Sequence, residues 1–293
     1  MILSAYLTLI RISLFQRIKQ CQFTFSSFAF ICSFALISTF NLFFISTASA
    51  QDIDQVKAKD IAIIAIHGKW GAPPGPIANY LQQAGFTVVS PTMPWSRLRL
   101  YDVAYEDGLK EVHQEVLQLK ARGFKKIVMV GHSFGANGTL AYASQYQDVD
   151  ALVLLAPGHV PEISYEFNRT TFDVNKAREM VSSGLGNELF TFTDPNSGNR
   201  SRPITAKASI YLSYFEPQSL ANMPLSASKI QAALPVLLIN SSEDGISRKG
   251  ESYIFTHLKR HPQSVFKLSH ASHLSTPEEN KEEVLKFIQS LQP

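Results

Sequence analysis

The sequence predicts an α/β fold, with a mostly parallel sheet and helices on both faces. Three observations predict it. Short apolar, β-branched runs recur along the chain, stretches with apolar residues three and four apart lie between them, and the two kinds alternate rather than segregate. The chain has 293 residues, 45% of them apolar and 17% charged. That composition supplies a real core and excludes collagen-like, disordered and disulfide-scaffold classes.

Taken in order, Ile61–Ile66 is continuously apolar, which suits a strand buried on both faces, and it runs into His67-Gly68. Pro76 to Ala84 reads as a helix with proline at its start and Gly85 after its end. Phe86–Ser90 is the next strand. Val103–Arg122 reads as a helix, because Tyr105, Leu109, Val112, Val116 and Leu119 fall on one face, and Gly123 closes it. Lys126–Val130 is a strand, followed by a small-residue helix to about Tyr146 and a strand at Ala151–Leu155.

The alternation breaks between about Gly158 and Leu234. Two helices are expected there, near 173–183 and 205–215, around a turn-rich run, Asp194-Pro195-Asn196-Ser197-Gly198-Asn199. The pattern resumes with a strand at 235–240, a helix near 248–258 and a strand at 264–268. The last helix opens at Thr276-Pro277-Glu278-Glu279, read as an N-cap, a first-turn proline and a capping-box glutamate. Its buried face is Val284, Phe287, Ile288 and Leu291.

Residues 1–50 stand outside this pattern. They hold Arg11, Arg17 and Lys19 and no acid, then a long apolar run ending in Ala48-Ser49-Ala50. Basic flank, apolar stretch and small-x-small ending read as a signal peptide cleaved between Ala50 and Gln51, giving a secreted or periplasmic protein. The competing reading is an uncleaved membrane anchor, since the run is long enough to span a bilayer as a helix. The whole +3 net charge belongs to those three residues, and 51–293 is neutral. Both cysteines, Cys21 and Cys32, also lie before the cleavage point, so the domain at 51–293 is expected to be cysteine-free.

Gly131-His132-Ser133-Phe134-Gly135 is a G-x-S-x-G motif between a strand and a helix. In that setting the serine occupies a sharp turn that lifts its hydroxyl clear of the sheet, at a helix N-terminus that favours developing negative charge. A serine nucleophile needs a base, and the base an orienting acid. In proteins with such an elbow the acid and then the base follow in the chain. The acid is expected after the strand at 235–240, where Asp244 is preferred and Glu243 is second. The base is expected before the last helix, where His273 is preferred over His270. The oxyanion needs donors. The backbone N–H groups of Phe134 and Lys69 are the expected pair, with Trp70 as the fallback.

On these residues (His67-Gly68 after a strand, the Gly131–Gly135 elbow, the Asp244 strand end and the His273 loop) the chain resembles the α/β-hydrolase superfamily over nearly all of 61–291. The resemblance implies a reduced sheet of about six strands, because 51–60 is too short to supply the first two family strands. It also implies a single hydrolase domain at 51–293, whose insertion after the sixth family strand, residues 158–234, is a cap. The cap's aromatics, Tyr165, Phe167, Phe172, Phe190, Phe192, Tyr211, Tyr214 and Phe215, either line an apolar pocket or form the cap's own core.

The expected activity is that of an exported serine esterase, carboxylesterase-like, acting on a small-molecule acyl ester. A thioesterase or amidase would carry the same residues. The alternative is a non-catalytic hydrolase-fold protein that binds an apolar ligand or a protein partner. No H-E-x-x-H, phosphate loop or basic stripe is present, so neither metal, cofactor nor nucleic acid is expected. Oligomeric state is left open.

Overall fold

The structure, a computed structural model, describes residues 59–196 and 200–291. The expected signal peptide, its cleavage point and both cysteines lie outside the described residues. No helix among the described residues is long and apolar enough to cross a membrane.

Six strands form one sheet: β1 (Ile61–Ile66), β2 (Thr87–Val89), β3 (Lys126–His132), β4 (Ala151–Leu155), β7 (Val236–Ser241) and β8 (Val265–Ser269). Their order is β2-β1-β3-β4-β7-β8 and every pairing is parallel. β1, β4 and β7 are buried along their whole length. That explains why these strands read as continuous apolar runs rather than alternating ones.

Successive side chains of β1 serve opposite faces of the sheet. Ile61, Ile63 and Ala65 pack with Ile77 and Leu81 of helix α1 (Pro76–Gln83) and with Val284, Phe287 and Ile288 near the C-terminus. Ala62, Ile64 and Ile66 pack with Leu109, Val112 and Val116 of α2 (Tyr105–Ala121) and Leu140 of α3 (Phe134–Tyr146). All five apolar positions picked out along α2 are buried, and Gly123 turns left-handed (φ 90°) just beyond its end.

Between β4 and β7 lies the insertion. It holds α4 (Pro161–Glu166), α5 (Thr171–Ser182), an antiparallel hairpin of β5 (Leu189–Pro195) and β6 (Ser201–Lys207), α6 (Ala208–Phe215) and α7 (Met223–Lys229). The hairpin corrects two expectations. Asp194 and Pro195 end a strand rather than a turn, and 205–207 are strand rather than helix. A two-stranded ribbon has only edges, so Pro203 is tolerated in it.

The helix expected near 248–258 is instead two 3₁₀ segments, Gly245–Tyr253 and Phe255–His257, the first broken at Gly250 (φ 57°). The last helix is likewise split, into α8 (Thr276–Glu279) and α9 (Lys281–Ser290). Its expected capping box has moved one turn earlier. Ser272 Oγ accepts from the Ser275 N–H at 3.1 Å and Ser275 Oγ accepts from the Ser272 N–H at 3.0 Å. Thr276 instead donates its hydroxyl to the Ser272 carbonyl at 2.7 Å.

Candidate active site

Strand β3 delivers Ser133 to the N-terminus of α3 in a strained backbone conformation, φ 57° and ψ −119°. Two close approaches enforce it. A Cβ on Gly135 would lie 2.1 Å from the Ile66 carbonyl oxygen, and one on Gly131 would lie 2.3 Å from that of Gly135. Only glycine lets β1, β3 and α3 meet this closely. The Ser133 hydroxyl does not cap its own helix. It donates instead to His273 Nε2 at 2.8 Å, and His273 Nδ1–H donates to Asp244 Oδ2 at 2.7 Å. These two bonds fix the imidazole's tautomer, with its proton on Nδ1.

Each member is held from its own element. Asp244 follows β7, its N–H bonded to the Ser241 carbonyl. His273 sits between the reciprocally bonded Ser272 and Ser275. Its carbonyl accepts from His132 Nε2–H at 2.8 Å, and Ser241 Oγ donates to the neighbouring Ala271 carbonyl at 2.8 Å. Burial pushes the His132 imidazole down to about 4. It therefore stays neutral, with one nitrogen free to donate. Of the second choices, Glu243 is exposed at the cavity rim and His270 is exposed, and neither bonds to Ser133, Asp244 or His273 among the described residues.

The loop after β1 approaches Ser133 from the other side. A Cβ on Gly68 would lie 3.0 Å from Ser133 Cβ. His67 braces this loop, donating from Nδ1 to the Gly68 carbonyl at 2.8 Å and accepting the Met93 N–H at Nε2. The Trp70 N–H is engaged by the Trp95 carbonyl at 2.9 Å and the Gly71 N–H by that of Gly68. The N–H groups of Lys69 and Phe134 have no partner among the described residues. The fallback donor is thus occupied and the preferred pair is unengaged.

Ser133, His273 and Lys69 line a cavity of about 690 Å³. Its walls mix polar and apolar groups: Arg169, Glu166 and Arg248 with Ile163, Phe167 and Ile246. Most cap aromatics are elsewhere. Phe192, Tyr211 and Phe215 are buried and stacked one on the next, Tyr214 is buried edge-on against Tyr101 and Tyr105, and Phe172 faces solvent. Of the eight, Phe167 alone lines the cavity. His159 is half-buried at the cavity wall, stacked on Phe134 and bonded to the Tyr214 carbonyl. Among the described residues no His/Cys/Asp/Glu cluster could hold a metal.

Sequence reasoning missed Asp194, which the turn-rich composition around it disguised, and Trp95, whose ring stacks on Phe134 at 4.3 Å. Neither carries a local motif, because their partners are distant in the chain.

A family model described as the alpha/beta hydrolase fold matches residues 62–191. No curated protein sequence matches the chain. Among solved structures, a metagenome-derived lipolytic enzyme aligns with TM-score 0.58 at 17% identity, covering 79% of this chain and 94% of that one. The monoacylglycerol lipase of Paleococcus ferrophilus aligns with TM-score 0.57 at 19% identity, covering 78% and 94%. A thermostable carboxyl esterase from Bacillus coagulans aligns with TM-score 0.54 at 14% identity, covering 78% and 88%. The parallel sheet, the elbow between β3 and α3, the cap after β4 and the family-model match agree: the chain has the α/β-hydrolase fold.

Proposed function

We propose that the protein is an exported serine hydrolase of the esterase type, carboxylesterase-like, with Ser133 as nucleophile, His273 as base and Asp244 as orienting acid. The unbroken chain Ser133 Oγ–His273 Nε2, His273 Nδ1–Asp244 Oδ2 carries this reading. Ser133 Oγ attacks the acyl carbonyl while His273 Nε2 takes its proton. Asp244 stabilises the resulting imidazolium without itself accepting the proton. The carbonyl oxygen becomes an oxyanion, and the Lys69 and Phe134 N–H groups hold it. His273 then gives its proton to the leaving alcohol, leaving an acyl-Ser133. A water deprotonated by His273 attacks that acyl group, releases the acid and restores the serine.

The polar walls of the cavity favour a small or polar acyl group over a long alkyl chain. The likeness to lipases and esterases supports the ester class. Export rests on residues 1–50: their basic flank, apolar run and Ala48-Ser49-Ala50 ending.

A fluorophosphonate probe tests the nucleophile. The folded wild-type protein is expected to label at Ser133, with Ser133→Ala unlabelled. A folded wild-type protein that does not label sinks the reading. A p-nitrophenyl ester series is expected to show faster turnover of acetate and butyrate than of palmitate. N-terminal sequencing of the exported protein is expected to begin at Gln51.

A further inference from the structure

Asp194 ends a cap strand, yet its contacts belong to the oxyanion loop. Its carboxylate is fully buried and accepts three hydrogen bonds. Lys69 Nζ donates to Oδ1 at 2.5 Å, and Trp70 Nε1 and the Tyr101 hydroxyl both donate to Oδ2 at 2.8 Å. Lys69 Nζ also donates to the Pro195 carbonyl at 2.8 Å. The ammonium is almost wholly desolvated, with 5% of the side chain exposed, so it depends on these acceptors.

The facing strand adds a second grip. Arg202 pairs with Asp194 across the hairpin, and its guanidinium lies over the Trp70 ring at 4.0 Å. Two consecutive loop residues, Lys69 and Trp70, are thus clamped by one end of one hairpin. Trp70 holds a left-handed backbone conformation, φ 58°, which a bulky residue keeps only when its surroundings enforce it. The residue whose N–H is unengaged beside Ser133 is therefore positioned from the cap as well as by the His67 and Trp95 contacts at its base.

We propose that Asp194 is a positioning residue for the oxyanion hole, through which the cap hairpin sets the Lys69–Trp70 backbone. The inference rests on the serine-hydrolase reading above. The cap would then do more than shape the substrate cavity. Its seating would determine whether the Lys69 N–H meets the developing oxyanion, a contact that matters in the transition state more than in the bound substrate.

The test is Asp194→Asn in the full chain, assayed with p-nitrophenyl acetate and normalised to active sites titrated with a fluorophosphonate. Turnover per titrated site is expected to fall by about 10- to 100-fold, with KM changed less than about threefold. Affinity for phenylboronic acid, whose serine adduct is tetrahedral, is expected to fall in parallel. Should Asp194→Asn not fold, Trp70→Phe and Tyr101→Phe each remove one uncharged donor to the same carboxylate. Each is expected to lower turnover per site by about 3- to 10-fold. Unchanged turnover per titrated site in the folded variants, with unchanged boronate affinity, overturns the proposal while the nucleophile reading stands. A wild-type protein that fails to label overturns both.

Discussion

His132 Nε2–H donates to the backbone carbonyl of His273 at 2.8 Å, so the residue before the elbow serine also anchors the loop of the candidate base. The two histidine rings lie 5.4 Å apart between centroids. One motif residue thereby registers two loops that are 141 positions apart in the chain.

His132→Phe keeps a ring in this position and deletes the donor. Losing one such hydrogen bond corresponds to about 1–1.5 kcal/mol, so kcat is expected to fall by about tenfold. His132→Gln retains an N–H donor and is expected to recover most of that loss. Steady-state kinetics on p-nitrophenyl acetate check both.

Burial lowers the pKa of His132 to about 4, and it also lowers His67 and His159, with the Lys69 charge adding to the effect at His159. The unfolded chain therefore binds more protons than the folded one as pH falls below about 6.5. Stability is expected to be full above that pH and to be lost progressively towards pH 4. The His132 share is on the order of 2–3 kcal/mol. Urea unfolding midpoints measured between pH 7 and 4.5 are expected to fall less steeply in His132→Gln than in the wild type.

The acid and base assignments separate cleanly by mutation. Asp244→Asn and His273→Gln are each expected to lower kcat by about 10³-fold or more, with the folded protein retained. Glu243→Gln and His270→Gln, both exposed and outside the hydrogen-bonded chain, are expected to stay within about twofold. Full activity in His273→Gln, or its loss in His270→Gln, would reverse the assignment.

Gly135→Ala places a methyl carbon 2.1 Å from the Ile66 carbonyl oxygen, with backbone on both sides and no flexible side chain to yield. It is expected to cost more than about 3 kcal/mol or to prevent folding. Thermal denaturation and soluble yield read the outcome.

Elements with a local signature were legible from the residues. β1, β3, β4 and β7 are apolar because both their faces are buried, and α2 carries a regular buried stripe. Ser133, Asp244 and His273, which lie in one hydrogen-bonded chain, were picked out by the elbow motif and by their places after later strands. The cap was not. Pro195 read as part of a turn and 205–207 as helix, and their strand conformation depends on tertiary packing of Phe192 and Ile204. Asp194 was invisible for the same reason, since its three donors come from residues 93 to 125 positions away. The cap aromatics were ambiguous by composition, because stacking in a cap core and lining a pocket require the same residue types.

The central claim is that Ser133 becomes acylated during turnover. Rapid acid quench of the wild-type protein with p-nitrophenyl acetate, followed by peptide mass spectrometry, tests it most directly. The expected result is an acetyl adduct on Ser133, absent in Ser133→Ala, whose hydrolysis falls to near background. Undiminished hydrolysis by a folded Ser133→Ala, or an active wild type acylated only at another residue, would contradict it.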